Sequence, residues 1–255
     1  GGTADVCGRY VMARATSDLV ALGDAETNEE LVLRQSWNVA PTAEVPILVA
    51  HADDVGAGVT RRIHVARWGL VPPWAKTAED GGPDTKSGPL LINARADKVT
   101  SSPAFRSSAK AKRCLVPMDG WYEWTKRGEA KGAKTPYYMY AGDGEPLFMA
   151  GLWTTWRPKE APKDAKPLLS CTIITTDAAA QLADIHDRMP LTISAPDWDR
   201  WLDPDAPIDE GLLRGHGDLD RIEIREVSTL VNSIRNNGPE LIEPAQPQAE
   251  QGTLL

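Results

Sequence analysis

The chain has 255 residues, 42% hydrophobic and 25% charged, which is the composition of one large globular domain or two small ones. Its formal net charge of −8 excludes the general basic character of many nucleic-acid binders, so any such binding needs a local basic groove. No apolar stretch approaches the ~20 residues that span a bilayer, and no secretory signal is visible. We therefore expect a soluble intracellular protein in a reducing compartment.

The first third of the chain is predicted to contain short elements. Residues 1–6 have the composition of a flexible extension, and residues 10–12 favour a strand. Ser17 is expected to cap a helix that Gly23 ends, and a second short helix is expected over 29–34. Residues 37–42 are predicted to be a loop, because Pro41 disfavours helical backbone at the residue before it.

Alternating hydrophobic residues predict many further strands, with few helices between them. Residues 76–89 and 157–167 are predicted to be surface loops, and residues 126–135 the tip of a hairpin. We expect the strands at 136–140 and 147–153 to be neighbours. The predicted strands are 44–51, 62–70, 90–96, 113–117, 120–126, 136–140, 147–153, 169–175 and 222–227. The predicted helices are 102–111, with Ser102 as its cap, 177–185, 196–202 and 208–214.

This order of elements predicts an α+β fold with a mixed, largely antiparallel, barrel-like β core and short peripheral helices. No clear strand–helix–strand alternation indicates a parallel sheet. We expect one catalytic domain over residues 7–240, preceded by the extension 1–6 and followed by a disordered tail over 241–255.

The stretch Cys7-Gly8-Arg9-Tyr10 is an unusual start for a first strand. If the residues before Cys7 are absent, its thiol shares a carbon skeleton with a free α-amino group. Such a 1,2-aminothiol condenses with an aldehyde and closes a five-membered thiazolidine ring. The alternative is a buried cysteine at the head of a strand, because free cysteine is among the most buried residue types.

The stretch Gly120-Trp121-Tyr122-Glu123-Trp124 places a carboxylate between tryptophans. In a strand, Trp121 and Glu123 share one face and Tyr122 and Trp124 share the other. Desolvation would favour the protonated form of Glu123 and suit it to acid–base work. The alternative is an edge glutamate that points into solvent.

His186 follows a predicted helix and lies two residues before Arg188. It is a candidate general acid or base near a phosphate that Arg188 would bind, or else an exposed turn histidine. The three cysteines form no Cys-x-x-Cys pair and the four histidines form no ligand cluster, so we expect no metal and no cofactor.

Asn38 lies two residues before Ala40 and Asn93 directly before Ala94, each in a predicted tight segment. They are candidates to position a sugar oxygen, although asparagine is also an ordinary turn residue. Arg95 is a candidate to capture a phosphate through its guanidinium fork, with an internal ion pair to Asp97 as the alternative.

Together and in this order, these stretches resemble the SOS response-associated peptidase family, whose members shield abasic sites in single-stranded DNA. The resemblance covers about residues 7–240. Its most specific parts are the Cys-Gly-Arg start, the Trp-Tyr-Glu-Trp stretch and the His-Asp-Arg-Met-Pro stretch. The matching residues are Cys7-Gly8-Arg9-Tyr10, Asn38-Val39-Ala40-Pro41-Thr42, Trp68-Gly69-Leu70-Val71-Pro72-Pro73-Trp74, Asn93-Ala94-Arg95-Ala96, Gly120-Trp121-Tyr122-Glu123-Trp124, Thr175, His186-Asp187-Arg188-Met189-Pro190, Val227-Ser228 and Val231-Asn232.

The resemblance implies a covalent reaction with the aldehyde form of an abasic site. The α-amine of an N-terminal Cys7 would form a Schiff base, and its thiol would then close a thiazolidine that crosslinks protein and DNA. Glu123 would orient the amine and shuttle protons, His186 would act on the sugar ring oxygen, and Asn38 would position the deoxyribose. The resemblance also implies a lyase-type activity and an autopeptidase activity.

The resemblance also implies a set of residues that contact the DNA strand. Arg9, Asn93, Arg95 and Arg188 would bind phosphates, and Trp68 would wedge against a base. The complete set of implied DNA-binding residues is Arg9, Pro41, Trp68, Gly69, Trp74, Asn93, Arg95, Thr175, Arg188 and Met189. The implied partner is single-stranded DNA with abasic sites, bound by a cytoplasmic monomer that associates with the nucleoid during DNA repair.

Two features depart from the family pattern. The family usually has glutamate where this chain has Asp97, and six residues precede Cys7, so that its nitrogen is an amide. Because an amide cannot form a Schiff base, we expect the active species to begin at Cys7. Residues 1–6 would then be a cloning scar, a segment removed by self-cleavage, or the result of a start assigned too early.

Two other functions remain open from the residues. One is a cysteine peptidase that uses Cys7, His186 and Glu123, acting on other proteins or only on the bond before Cys7. The other is a non-catalytic module that binds single-stranded DNA, for which Cys7→Ala would leave the function intact.

Overall fold

Two β-sheets dominate the structure, a computed structural model that describes residues 7–27, 31–52, 59–126 and 134–246. Those ranges contain 13 strands and four short α-helices, with 3₁₀ helices in several connections. The strands are β1 Tyr10–Met12, β2 Ala25–Glu26, β3 Ser36–Val39, β4 Glu44–Ala52, β5 Val59–Trp68, β6 Asn93–Arg95, β7 Arg113–Met118, β8 Gly120–Lys126, β9 Lys134–Ala141, β10 Leu147–Trp156, β11 Leu168–Asp177, β12 Arg188–Pro190 and β13 Ile222–Glu226. The α-helices are α1 Thr16–Gly23, α2 Arg106–Ala111, α3 Trp198–Leu202 and α4 Glu210–Arg214.

The larger sheet closes on itself. Strands β11, β10, β7, β4 and β5 follow one another as antiparallel neighbours, and β5 then pairs in parallel with β11. Strands β12 and β6 extend the sheet from β11, and β2 extends it from β5. The predicted α+β fold with a barrel-like core is therefore confirmed, as a ring of strands rather than a strict barrel.

The smaller sheet has the order β13-β9-β8-β1-β3 and is antiparallel throughout. Its central strand β8 separates two groups of buried side chains. Trp121 packs in the main core with residues of the larger sheet, whereas Tyr122 packs in a second cluster with Val11, Tyr138 and Val231. The predicted alternation of faces along 120–124 is confirmed, and it directs Glu123 toward the main core.

Several predicted strands have different bounds or partners. Residues 36–39 form strand β3 rather than a loop, because they pair with β1, and Pro41 acts only on the turn that follows. Strands β9 and β10 are not neighbours: β9 pairs with β8 and β13, whereas β10 pairs with β7 and β11. Within the predicted strand 90–96, only Asn93–Arg95 is regular, because only those residues pair with β11.

The helices are shorter than predicted. Helix α1 begins at Thr16, which places Ser17 inside it, and α2 begins at Arg106 rather than after Ser102. In place of the helix at 177–185, β11 continues to Asp177 and a 3₁₀ helix follows over Ala180–Asp184. Residues 31–34 are not helical; residues 28–30, like the extension 1–6 and most of the tip 126–135, lie outside the described residues.

The disordered tail was predicted to begin too early. Leu241 is fully buried, and Ala245 donates a backbone hydrogen bond to Glu226, so the chain packs against β13 through residue 245. Among the described residues, no helix is long and apolar enough to cross a membrane.

Candidate active site

Cys7 and Glu123 form a buried pair at the junction of β1 and β8. Strands β1 and β8 are antiparallel, with Tyr10 opposite Trp121, so residues just before β1 meet the middle of β8. The Cys7 backbone nitrogen donates a hydrogen bond of 3.0 Å to Glu123 Oε1. Cys7 is 0% exposed and Glu123 3% exposed, so bulk water does not separate the two groups. Two of the three most specific sequence stretches thus meet at one point.

Burial makes Glu123 a weak acid. Desolvation raises its pKa from 4.5 to about 8, although the hydrogen bond from the Cys7 nitrogen favours the carboxylate and limits the rise. A carboxyl group with a pKa near neutrality both accepts and donates protons under physiological conditions. The structure therefore supports the buried alternative for Glu123 and not the solvent-facing one.

The Cys7 thiol is neutral in the folded chain. Burial raises its pKa well above the ordinary value, and the negative charge of Glu123 raises it further. Cys7 also has a positive φ of 49°, which turns the chain sharply into β1. A thiol in this setting is not the thiolate that a cysteine peptidase uses as its nucleophile.

All three cysteines lie close to the buried hydroxyl of Tyr10, a grouping that the sequence spacing did not indicate. Cys7, Cys114 and Cys171 are free and buried, and each raises the pKa of Tyr10 in addition to the larger effect of burial. The Tyr10 hydroxyl has no hydrogen-bond partner among the described residues. On the side of Cys7 that faces Tyr10, the interior therefore contains thiols and a phenol hydroxyl in an apolar surrounding.

His186 lies in the turn between the 3₁₀ helix and β12, and it is half-buried. Its Nδ1 accepts a hydrogen bond of 3.1 Å from the Arg188 backbone nitrogen. In a neutral ring the proton is therefore on Nε2, which can donate to a ligand oxygen. No hydrogen bond or ion pair of the described residues joins His186 to Cys7 or Glu123.

Asn38 has a different environment from the one predicted. Its side chain is buried, its Oδ1 accepts a hydrogen bond from Arg9, and its Nδ2 faces the carbonyl oxygens of Val231, Ser233 and Asn236 at 2.9–3.3 Å. These contacts use both Nδ2 hydrogens and one of the two acceptor positions of Oδ1. Asn38 thereby fastens the segment 231–236 beside β3, and its predicted contact with deoxyribose stays a prediction.

Arg9, which directly precedes β1, fastens the same segment. Its guanidinium donates to the carbonyl oxygens of Val231 and Asn232 at 2.7 and 3.1 Å, and it lies over the ring of Trp124. Trp124 in turn donates to the Asn232 side chain at 2.6 Å. Arg9 therefore has a structural role, and its predicted contact with a phosphate stays a prediction. The Val231-Asn232 match was the only sequence signal for this segment.

Arg95 and Arg188 lie on either side of the end of β11. In the sheet, Arg95 on β6 is opposite Thr175 and Arg188 on β12 is opposite Asp177. The Arg188 guanidinium donates to the carbonyl oxygen and to the hydroxyl of Thr175 at 3.0 and 3.1 Å. Two of the predicted phosphate-binding arginines are thus brought to one edge of the larger sheet.

Four implied DNA contacts conflict with burial. Trp68 is 0% exposed, its indole donates to the Ile92 carbonyl oxygen, and its ring packs edge-on against Tyr10. It is a core residue, so its predicted stacking on a base is wrong for this conformation. Thr175, Met189 and Gly69 are also buried. Thr175 accepts two hydrogen bonds from the Arg188 guanidinium, and its predicted contact with DNA stays a prediction.

Trp74 is the exposed tryptophan of the same stretch. It is 62% exposed and follows the rigid Pro72-Pro73 pair, and the next residue accepts a hydrogen bond from the buried Trp156 indole. An exposed ring on a fixed turn suits stacking on a base. Pro41 is half-buried, and the turn that contains it is joined to Trp68 by the Thr42 nitrogen. Asn93 is half-buried, and its side chain donates a hydrogen bond to the carbonyl oxygen of its neighbour Ile92.

The model of the SOS response associated peptidase (SRAP) family matches residues 6–234. The chain belongs to this family. The SRAP match includes every site residue discussed above and most of the segment that Arg9 and Asn38 hold.

Relatives of this chain occur in bacteria and vertebrates. The abasic site processing protein YoqW of Bacillus subtilis is 36% identical over 242 residues, which cover 93% of this chain and 99% of that protein. YedK of Escherichia coli is 30% identical, with 94% and 100% covered, and HMCES of Gallus gallus is 33% identical, with 84% and 67% covered. Both carry the same description, abasic site processing protein.

A solved structure has the same fold. The crystal structure of a protein from Bacteroides thetaiotaomicron superposes with a TM-score of 0.75 at 25% identity and covers 94% of this chain and all of that chain. No group of three or more metal-ligating side chains occurs in residues 7–27, 31–52, 59–126 and 134–246.

Proposed function

We propose that this chain processes abasic sites in single-stranded DNA by forming a covalent thiazolidine crosslink through Cys7. The observation that carries the proposal is the buried contact of 3.0 Å between the Cys7 nitrogen and Glu123 Oε1. In a chain that begins at Cys7, this nitrogen is an α-amine with a reference pKa of about 7.7–8.0. In the full chain, where this nitrogen is an amide, burial raises the pKa of the carboxyl group that it contacts to about 8. A carboxyl group that burial makes less acidic suits proton exchange with a neighbouring amine.

The reaction balances with water as the only by-product. The amine adds to the C1′ aldehyde carbon of the opened sugar, and the resulting hydroxyl group leaves as water to give an imine. The Cys7 sulfur then bonds to C1′, and the thiol proton moves to the nitrogen. The ring contains sulfur, C1′, nitrogen, Cα and Cβ of Cys7. Glu123 would take a proton from the amine and return one to the leaving hydroxyl.

The buried thiol fits this order of steps. An imine carbon is a strong enough electrophile to accept a thiol that is delivered intramolecularly, so the raised pKa of Cys7 does not prevent ring closure. His186 would contribute earlier, because its Nε2–H can donate to the sugar ring oxygen as the sugar opens. The Nδ1 contact with Arg188 would hold the ring in that tautomer.

The strand would be held at the edge that carries Arg95 and Arg188, with Trp74 as the exposed stacking surface. Contacts of this kind act on any sequence, because they involve the phosphates and the faces of the bases. The names of the YoqW, YedK and HMCES relatives support abasic-site processing as the activity.

Self-cleavage before Cys7 is a second candidate activity that one observation favours. Glu123 contacts the nitrogen that would become the amine when the bond between residues 6 and 7 breaks. In such a hydrolysis, water would supply the hydroxyl group that bonds to the carbonyl carbon of residue 6, and a protonated Glu123 would supply the proton that the leaving nitrogen needs. The neutral thiol, in contrast, argues against a peptidase that attacks other proteins with Cys7.

The test compares two versions of the chain, one that begins at Gly1 and one that begins at Cys7. Each is incubated with a single-stranded oligonucleotide that contains one abasic site, and covalent products are resolved under denaturing conditions. We expect crosslinking only by the version with a free Cys7 amine. Equal crosslinking by both, with residues 1–6 still present by mass, would overturn the thiazolidine mechanism.

A further inference from the structure

Each of the two arginines at the end of β11 already has a carboxylate partner. Asp97 accepts two parallel hydrogen bonds from Arg95, at 3.0 and 3.1 Å. Asp177 accepts one from Arg188 at 2.6 Å. These are the bonds that a DNA phosphate would make to the same guanidinium groups, because carboxylate and phosphate fit the same fork.

In the Arg188–Asp177 ion pair, the arginine is mostly buried and the aspartate is exposed. The Arg188 side chain is 14% exposed and is fixed by Thr175, whereas the Asp177 side chain is 89% exposed. In the other pair both side chains are about half exposed, at 55% and 58%. Asp177 can therefore rotate into solvent at little cost while Thr175 keeps the guanidinium of Arg188 in place.

A cavity of about 540 Å³ opens directly beside these pairs. Asp97, Asp177 and Arg188 line it together with Arg214 on α4. The other polar lining residues are Thr100, Thr176, Glu210 and His216. Arg214 makes no ion pair with the residues that the structure describes. The cavity thus has room for a backbone phosphate next to Arg188 and a second cation to receive it.

We propose that Asp97 and Asp177 are internal competitors of the DNA backbone, which occupy Arg95 and Arg188 in the free protein and are displaced by phosphates. The inference rests on the proposed function. Its consequence is weak reversible binding to undamaged strands, because every phosphate contact at this edge must first break an ion pair. Stable retention would then depend on the covalent bond at a lesion.

The competitor role and a purely positioning role predict opposite changes in DNA affinity when Asp177 is removed. If Asp177 only orients Arg188, its removal weakens DNA binding. If Asp177 competes with phosphate, its removal strengthens binding, because Thr175 still holds the guanidinium through two oxygens. Asp177 is a cleaner test than Asp97, because Asp97 is the only side chain that bonds Arg95 among the described residues.

The experiment measures the affinity of Asp177→Asn for an undamaged single-stranded oligonucleotide over a range of salt concentrations. Asp199→Asn is the matched control, since Asp199 is 86% exposed and pairs at 2.8 Å with Arg61, itself 18% exposed, away from this edge. Both variants remove one negative charge and one ion pair. We expect Asp177→Asn to bind about two- to fivefold more tightly than the control, the scale of an exposed ion pair. We also expect its salt slope to steepen by up to about 0.7.

Affinity of Asp177→Asn equal to or weaker than that of Asp199→Asn would overturn the inference. The proposed function is judged separately, by covalent capture of an abasic oligonucleotide with the version that begins at Cys7. Capture without a difference between the two variants would reject the competitor role alone. If the version that begins at Cys7 captures no abasic oligonucleotide and neither variant binds the undamaged strand, both proposals would be rejected.

Discussion

Cys7 provides two functional groups to the proposed reaction, and a substitution can separate them. In a version that begins at Cys7, Cys7→Ala keeps the α-amine and removes the thiol, so it can form the imine but cannot close the ring. We expect a product that is covalent only after borohydride reduction. We also expect strand cleavage by β-elimination, because the imine persists. A reduction-independent crosslink formed by Cys7→Ala would contradict the role of the thiol.

Glu123 is expected to act on protons and not on DNA affinity. In the version that begins at Cys7, Glu123→Gln should slow crosslinking by about 10²–10⁴-fold, the usual contribution of a general acid–base group. Its affinity for an undamaged strand should match that of the parent. The control is Glu223→Gln, the same change at an exposed position on β13 of the same sheet. A parental rate for Glu123→Gln would assign Glu123 a structural role only.

At the scale of elements, the segment 231–236 depends on side chains from β3, β8 and the residue before β1. Asn38 is the most buried of them, and its amide meets three carbonyl oxygens of the segment. Val231 anchors the start of the segment in the second cluster, whereas Ile234, at its centre, is 60% exposed. We therefore infer that the polar contacts determine the position of the residues after Val231.

Asn38→Ala should lower the free energy of unfolding by about 1–3 kcal/mol, because buried carbonyl groups lose their donor. Denaturant unfolding measures this change, and limited proteolysis after residue 227 reports local release of the segment. Asn93→Ala is the control, since the Asn93 side chain is half-buried and donates a hydrogen bond to the carbonyl oxygen of its neighbour Ile92. Equal stability of the two variants would show that Asn38 does not hold the segment.

At the scale of the whole molecule, Glu123 links stability to pH. Its pKa is raised from 4.5 to about 8, so between these values the folded state retains a proton that the unfolded state has lost. Stability should therefore fall as pH rises through this window, by up to about 1.4 kcal/mol per pH unit. Unfolding of the full chain at several pH values measures the slope. Glu123→Gln should remove this component and Glu223→Gln should leave it. A slope unchanged by Glu123→Gln would contradict the raised pKa.

The sequence predicted those parts of the molecule that depend on local pattern. The bounds of β8 and the opposite faces of Trp121 and Tyr122 follow from strand alternation alone. The pattern left the burial of Glu123 open, with a solvent-facing edge position as the alternative. The match to family stretches supplied the site residues. Strand alternation and the family stretches can both be recognised from a few residues that are neighbours in the sequence.

What the sequence could not predict depends on contacts between distant segments. Trp68 and Trp74 belong to one short stretch. The pairing of β5 with β11, which closes the larger sheet, buries Trp68 and leaves Trp74 exposed. The partners of Asn38 lie almost 200 residues further along the chain. The pairing of β9 with β13 instead of β10 is of the same kind.

The central claim is that the Cys7 nitrogen and sulfur both bond to one carbon of the lesion, and intact mass measures this most directly. The version that begins at Cys7 is incubated with an abasic oligonucleotide, treated with hydroxylamine, and weighed without reduction. We predict a species with the summed mass of protein and DNA minus one water, which survives hydroxylamine and maps to Cys7. Unmodified protein, or an adduct that hydroxylamine releases, would contradict the claim.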